Sequence, residues 1–276
     1  MKPAGYTEPV SQLLTYGITD WDEWDDYKSF GFTSEHVPEL IRLGTDRHLL
    51  VDDVEEAAMW APMHAWRVLA QIYAVEAIGP LVQVLALVGE ADSDLIGEGL
   101  QDVLERFGPA AIDSLTSFMF EAEDGNDGLI GAGEALASIG RNFPETRDRM
   151  VQIISTTLEA RYAANDPQIN GFWVSDLIDL NAIDSFPIIK KAYEAKAVDP
   201  MVCGDLEDVE LELGLIKERT TPRPITPLQR AIGLGLERGL SIPKLFPTIA
   251  TSKIGKKEKT RRKKEKGSRK KNRKKK

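Results

Sequence analysis

Val68-Leu69-Ala70-Gln71-Ile72-Tyr73-Ala74-Val75-Glu76-Ala77-Ile78-Gly79-Pro80-Leu81 reads as an apolar helix end, a short turn and a new helix start. Further segments have the same layout. They are Val103-Leu104-Glu105-Arg106-Phe107-Gly108-Pro109-Ala110-Ala111-Ile112-Asp113-Ser114-Leu115, a more divergent Ala135-Leu136-Ala137-Ser138-Ile139-Gly140-Arg141-Asn142-Phe143-Pro144, and Leu177-Ile178-Asp179-Leu180-Asn181-Ala182-Ile183-Asp184-Ser185-Phe186. The Ala-Ile pair opening the second helix falls at 77, 111 and 182, so the steps are 34 and 71 residues. The second step is two periods of about 35, the length of one helical hairpin in a repeat array.

Within each unit the apolar spacing is helical. Leu69 and Ile72, then Ile78, Leu81, Leu85 and Val88 make two stripes in the first; Ile96, Leu100, Val103, Leu104 and Phe107, then Ile112, Leu115, Phe118 and Met119 repeat them in the second. Ala132, Leu136, Ile139 with Met150, Ile153, Leu158, and Leu177, Ile178 with Ile183, Phe186, Ile189, Ala192, Tyr193 continue the pattern. Segments of period two are absent. A lone hairpin cannot bury such faces, so neighbours must stack, and the pattern predicts an all-α solenoid of antiparallel helix pairs.

The solenoid is expected over residues 36–219, after a cap or extension at 1–35. One further helix on Leu206, Val209 and Leu213 precedes the Pro-rich stretch Thr220-Thr221-Pro222-Arg223-Pro224. A linker and terminal helix follow at 220–252, with Thr226 as its cap, Pro227 at its first position and Leu228, Ile232, Leu236 on its stripe. In 253–276 only Ile254 is apolar, too little to offset ordering entropy, and a disordered tail is expected.

The alanine-rich first helix, short turn and Ala-Ile-x-Pro-Leu second-helix start resemble HEAT repeats, particularly the short repeats named after phycobilisome lyases, over roughly residues 60–195. His36-Val37-Pro38-Glu39-Leu40-Ile41-Arg42-Leu43 and Trp60-Ala61-Pro62-Met63-His64-Ala65-Trp66-Arg67 resemble the opening of uncharacterised bacterial proteins of this repeat class. The resemblance implies a non-enzymatic scaffold or, by its lyase precedent, an accessory or lyase-like protein handling a chromophore or another small ligand.

The net charge of −9 hides two opposed parts. Residues 253–276 hold 16 Lys/Arg and two acids, Glu258 and Glu265, while residues 1–252 hold 19 Lys/Arg and 42 acids, a basic tail of +14 on an acidic body of −23. The longest apolar stretch, residues 79–89, is too short to cross a bilayer. The N-terminus shows no secretory signal, and Cys203 as single cysteine excludes an internal disulfide or a cysteine-based zinc cage. A cytoplasmic location is expected.

No catalytic, metal or cofactor motif stands out. His36, His48 and His64 make no ligand pair at helical or loop spacing. Glu121-Ala122-Glu123-Asp124-Gly125-Asn126-Asp127-Gly128 has a calcium-loop composition but places Gly128 at a required ligand position and lacks the closing glutamate, so it reads as an inter-repeat loop. Gly128, Gly131 and Gly133 lack the lysine-serine pair of a phosphate loop and read as close-packing positions. Trp60, His64, Trp66 and Arg67 share one helix, read either as packed inside the solenoid or, if exposed, as a candidate binding surface for an acidic or aromatic group. Asp20-Trp21-Asp22-Glu23-Trp24-Asp25-Asp26-Tyr27 reads either as a cap sealing the solenoid's open end or as a partner-inserting segment.

The tail is the candidate polyanion-binding element, through Lys256, Lys257, Lys259, Arg261, Arg262, Lys263, Lys264, Lys266, Arg269, Lys270, Lys271, Arg273, Lys274, Lys275 and Lys276. Its charge attracts nucleic acid or an acidic surface by counterion release, and without an aromatic residue it has nothing to stack on bases. Lys253-Ile254-Gly255 and Gly267-Ser268-Arg269-Lys270-Lys271 resemble the flanks of a small zinc knuckle whose cysteines are missing here, so zinc is not carried over. The expected function is a non-enzymatic scaffold with a protein partner on the solenoid and nonspecific polyanion attraction from the tail. The alternatives are the chromophore-handling role, centred on Trp60, His64, Trp66 and Arg67, and a nucleic-acid-associated protein acting through the tail.

Overall fold

In a computed structural model of the chain, the described residues are 5–21, 23–90 and 95–223. The chain divides into two units, residues 1–221 and 222–276, and only Pro222 and Arg223 of the second are described. The expected terminal helix after Thr226 and the basic tail lie outside the described residues.

Among the described residues there are thirteen α-helices and no strand. In chain order they are α1 (Leu13–Tyr16), α2 (Val37–Gly44), α3 (Arg47–Val51), α4 (Ala61–Gln71), α5 (Ile78–Val84), α6 (Leu95–Phe107), α7 (Ile112–Glu121), α8 (Gly128–Asn142), α9 (Arg147–Arg161), α10 (Pro167–Asp179), α11 (Phe186–Glu194), α12 (Pro200–Cys203) and α13 (Leu206–Glu212). They pack in two layers that follow the sequence. α2, α4, α6, α8, α10 and α12 lie side by side in one, and α5, α7, α9 and α11 in the other.

The repeated turn has a backbone cause. Tyr73 (φ 55°), Gly108 (φ 59°) and Asn181 (φ 49°) take the left-handed conformation just past a first-layer helix. After α4, Ala74 N–H bonds Leu69 O at 2.9 Å and Tyr73 N–H bonds Ala70 O at 3.1 Å; after α10, Ala182 N–H bonds Leu177 O at 2.9 Å and Asn181 N–H bonds Ile178 O at 2.7 Å. These paired bonds satisfy the last carbonyls of the helix and turn the chain back. A 3₁₀ turn then leads into each second-layer helix, at Val75–Ala77, Gly108–Ala111, Pro144–Thr146 and Ile183–Ser185. The divergent third unit lacks the left-handed residue, Phe143 having φ −124°. Its ring instead covers Gly108, where an added Cβ would lie 2.7 Å from Phe143 Cζ. One stripe is shorter than its apolar spacing predicts, since α5 stops at Val84 and Leu85–Leu87 is a 3₁₀ turn.

Tryptophans key the first layer together. Trp66 Nε1 donates to Gly44 O at 2.7 Å and Trp173 Nε1 to Leu129 O at 3.0 Å, and both rings are fully buried. Each lies on a bare glycine, since a Cβ on Gly44 or Gly133 would sit 2.7 Å from the Trp66 or Trp173 ring. The indoles remove large apolar surfaces from water, each worth upward of about 3 kcal/mol on the scale of buried phenyl rings. Gly128 is tighter still, its absent Cβ lying 2.2 Å from Leu85 O, which accounts for a glycine at the start of α8. The loop before it is held by Arg161, which donates to Met119 O and Ala122 O at 2.6 Å and to Asp124 Oδ1 at 2.8 Å.

The expected helix on Leu206 and Val209 is α13, opened by a reciprocal cap between Asp205 and Asp208. Arg219 donates to both carboxylate oxygens of Asp205, at 2.7 and 2.6 Å, and so fastens the end of the first unit.

Candidate functional site

Helix α4 begins with Pro62 in its first turn, where a missing N–H costs nothing, and it is buried along residues 61–70. At 100° per residue, Trp60, His64, Arg67 and Gln71 fall on one line. That line grips the N-terminal segment of residues 17–27, between the end of α1 and the 3₁₀ turn Tyr27–Phe30. His64 Nε2 donates to Gly17 O at 2.7 Å. Arg67 donates to Asp20 O at 2.7 Å, Thr19 Oγ1 at 3.0 Å and Trp21 O at 3.1 Å. Gln71 Nε2 donates to Asp25 O at 2.8 Å while its Oε1 accepts from Tyr27 N at 3.1 Å. Most of these bonds go to backbone groups, so the stripe holds the course of a chain more than its side chains.

Aromatic contacts complete the clamp. Trp21 meets Trp60 edge-on with ring centres 6.0 Å apart, and the guanidinium groups of Arg67 and of Arg106 on α6 lie over the Trp24 ring, 5.1 and 4.8 Å from its centre. Tyr27 is buried and its hydroxyl is 2.5 Å from His64 Nδ1. Because Nε2 must donate to the Gly17 carbonyl, neutral His64 accepts the Tyr27 proton at Nδ1, which fixes its tautomer. Burial pushes the Tyr27 phenol up to about 12.

Burial likewise pulls the His64 pKa below its ordinary value; Arg67 adds to this and Asp25 opposes it. A histidine depressed in the folded state contributes stability above its unfolded value of about 6.5, and that stability is lost as the pH falls below it. Acidification from pH 7.5 to 5.5 is therefore expected to speed proteolytic cutting within residues 17–27. The same measurement on His64→Gln should show fast cutting with little pH dependence.

The four residues singled out from sequence are brought together differently from an exposed surface. Trp60 is 6% exposed, Arg67 1%, and His64 and Trp66 are fully buried. Trp66 stands about 120° round the helix from the other three and faces α2. The remaining three are covered by the protein's own segment 17–27. Trp21, Trp24 and Tyr27 accordingly pack along α4 and reach Arg106 of α6.

Further along the first layer the outward face is open. Gln101 of α6, Glu134 and Arg141 of α8, Phe172, Ser175, Asp176 and Asp179 of α10, and Val202 of α12 line a cleft of about 270 Å³. Asp176 is 5% exposed, and its Oδ2 has no hydrogen-bond partner. Burial pushes its carboxyl well above the carboxylate range, Glu134 and Asp179 push the same way, and Arg141 opposes them. Burial and Glu98 likewise raise the pKa of Glu134. Arg141 bonds Asp179 at 3.1 Å on the rim.

A larger groove of about 760 Å³ runs along the second layer between α9 and α11, and several of its polar groups are already engaged. Ser155 and Ser185 hydroxyls share a 2.7 Å bond, Lys191 bonds Glu159 at 3.3 Å, and Arg147 is spent on Leu180 O and Asn181 O. Among the described residues no group of three or more His, Cys, Asp and Glu is placed to hold a metal ion, and no helix is long and apolar enough to cross a membrane.

Residues 33–223, which carry both the α4 stripe and the cleft, match the model of a family described as protein of unknown function, DUF1186. The chain belongs to this family. No curated protein and no solved structure matches it. The DUF1186 match runs from just before α2 through α13 and begins after the clamped segment 17–27. Within the DUF1186 region, sequence reasoning passed over Glu134 and Asp176. The signal was present for Asp176, an acid on the apolar stripe Ile169, Trp173, Leu177 of α10, where an ionisable side chain has to be buried.

Proposed function

We propose that this DUF1186 protein is a non-enzymatic binding scaffold, a HEAT-like solenoid whose outward first-layer face holds extended protein segments. The observation that carries this reading is the clamp on α4. Bonds from His64, Arg67 and Gln71 to the carbonyls of Gly17, Asp20, Trp21 and Asp25 are how a helical face grips a chain laid across it. The protein's own segment occupies the α4 end, and the open cleft beyond it leaves room for a partner's. The basic tail, outside the described residues, adds attraction to polyanions by its charge. The chromophore-handling reading has no comparable support, because Trp60, His64, Trp66 and Arg67 are buried against the protein itself.

The test is affinity capture from cell extract with the full chain and with a chain ending at Ser252, each with and without nuclease. The same protein partner is expected on both, unaffected by nuclease. Nucleic-acid retention is expected on the full chain alone, with helical content unchanged by the truncation. Partners confined to the full chain and removed by nuclease would overturn the scaffold reading and place the function in the tail.

A further inference from the structure

The clamp and the cleft are parts of one helix layer with opposite chemistry. At the α4 end His64, Arg67 and Gln71 donate mainly to carbonyl oxygens of the bound segment. In the cleft three carboxyl groups, Glu134, Asp176 and Asp179, outnumber the single cation Arg141 on the rim, beside the neutral Gln101 and Ser175. Asp179 is satisfied by Arg141 at 3.1 Å. Asp176 is not satisfied: it is almost wholly buried, its Oδ2 is unpartnered, and Glu134 stands across the cleft on α8. Buried carboxylates are normally paired, so a buried acid left unpaired beside a second half-buried acid points to a donor that arrives from outside.

We propose that the cleft between α6, α8 and α10 is a binding site for a guanidinium group, with Asp176 and Glu134 as its carboxylate partners and Phe172 as the face it stacks on. A guanidinium suits this place better than an ammonium. It is planar and weakly hydrated, so it gives up water at lower cost on entering a cleft, and its donor fork spans two carboxylates. Phe172 lines the same cleft, and an aromatic ring is a surface on which a guanidinium can stack. About 270 Å³ admits the group with part of its aliphatic stem. The rim already holds one guanidinium, Arg141 on Asp179, so an incoming group is left with Glu134 and Asp176. An incoming cation favours the ionised form of Asp176, whose pKa is pushed upward by burial, Glu134 and Asp179, so cation binding is expected to lower it. That the guanidinium belongs to an arginine of a protein partner rests on the scaffold reading; the site itself does not.

The test uses the full chain and three probes: N-acetyl-arginine methylamide, its neutral citrulline counterpart, and a Gly-Ser peptide carrying one central arginine. Titrations are followed by NMR at the Trp173 indole and the Gly133 amide, both adjacent to Asp176, and by calorimetry in buffers of different ionisation enthalpy. The arginine probe is expected to saturate one site at least tenfold more tightly than citrulline. Glu134→Gln and Asp176→Asn should each weaken it tenfold or more. Glu134 is half-buried, so its variant keeps the test open if Asp176→Asn fails to fold. Equal response to citrulline, or arginine binding unchanged in both variants, would overturn the site. Binding of the small probe and not of the peptide would support the site while counting against the scaffold reading; capture of a partner without probe binding would do the reverse.

Discussion

Arg67→Leu is expected to release residues 17–27 from α4 and to cost on the order of 3 kcal/mol in urea unfolding. The guanidinium is 1% exposed and satisfies Thr19 Oγ1, Asp20 O and Trp21 O at once. Leucine fills much of the volume but leaves three acceptors facing an apolar side chain, each costing about 1–3 kcal/mol if it stays buried. Detaching the segment lets those oxygens reach water and so limits the loss, at the cost of exposing Tyr27 and the faces of Trp21 and Trp24. The expected result is therefore partial: a protein that keeps its helices, is cut by protease between residues 17 and 27, and shows red-shifted tryptophan emission. Arg67→Lys keeps the charge and loses the fork, so it should fall between wild type and Arg67→Leu. Wild-type stability and protection in Arg67→Leu would mean that aromatic contacts alone hold the segment, and the clamp would lose its standing as the model for partner binding.

The same residue shows what was and was not legible in the sequence. The helical repeat was legible because it rests on local rules: a stripe of apolar residues, a turn at Tyr73, Gly108 and Asn181, and a second helix opening on Ala-Ile. The clamp was not legible, since its bonds join residues far apart in the chain, 47 positions from Arg67 to Asp20. Grouping Trp66 with Trp60, His64 and Arg67 mixed two faces of α4, a distinction that the helical angle alone supplies. That the acidic-aromatic segment lies along α4 was not legible, because sequence carries no record of which surface covers which. In the cleft the reverse holds. Asp176 was detectable as a carboxylate on an apolar stripe, yet its lack of a partner emerges only when α8 and α10 are set side by side.

Asp176→Asn is expected to stabilise the protein at pH 8 by about 3 kcal/mol, the several-kcal/mol penalty of an ion withdrawn from water without a partner, while abolishing guanidinium binding. The direction of the pH dependence follows from the raised carboxyl. Its pKa in the unfolded chain is about 3.9, and in the folded protein burial, Glu134 and Asp179 lift it well above that. The folded state then holds its proton more tightly than the unfolded one, so stability falls as the pH rises from about 4 through the folded value, and at pH 4 the wild type and Asp176→Asn should be nearly equal. The gap between them should open with rising pH, opposite to the trend that His64 imposes at the clamp, where stability falls as the pH drops below about 6.5. Asparagine keeps the shape of the side chain and can donate towards Glu134, so lost packing does not confound the comparison. Unfolding curves of both proteins across pH 4 to 8 measure it directly. A variant less stable than wild type at pH 8 would mean that the carboxylate is satisfied as it stands. A more stable variant that no longer takes up the arginine probe would mean that Asp176 costs the fold stability for the sake of a ligand, the pattern of a binding residue and not of a structural one.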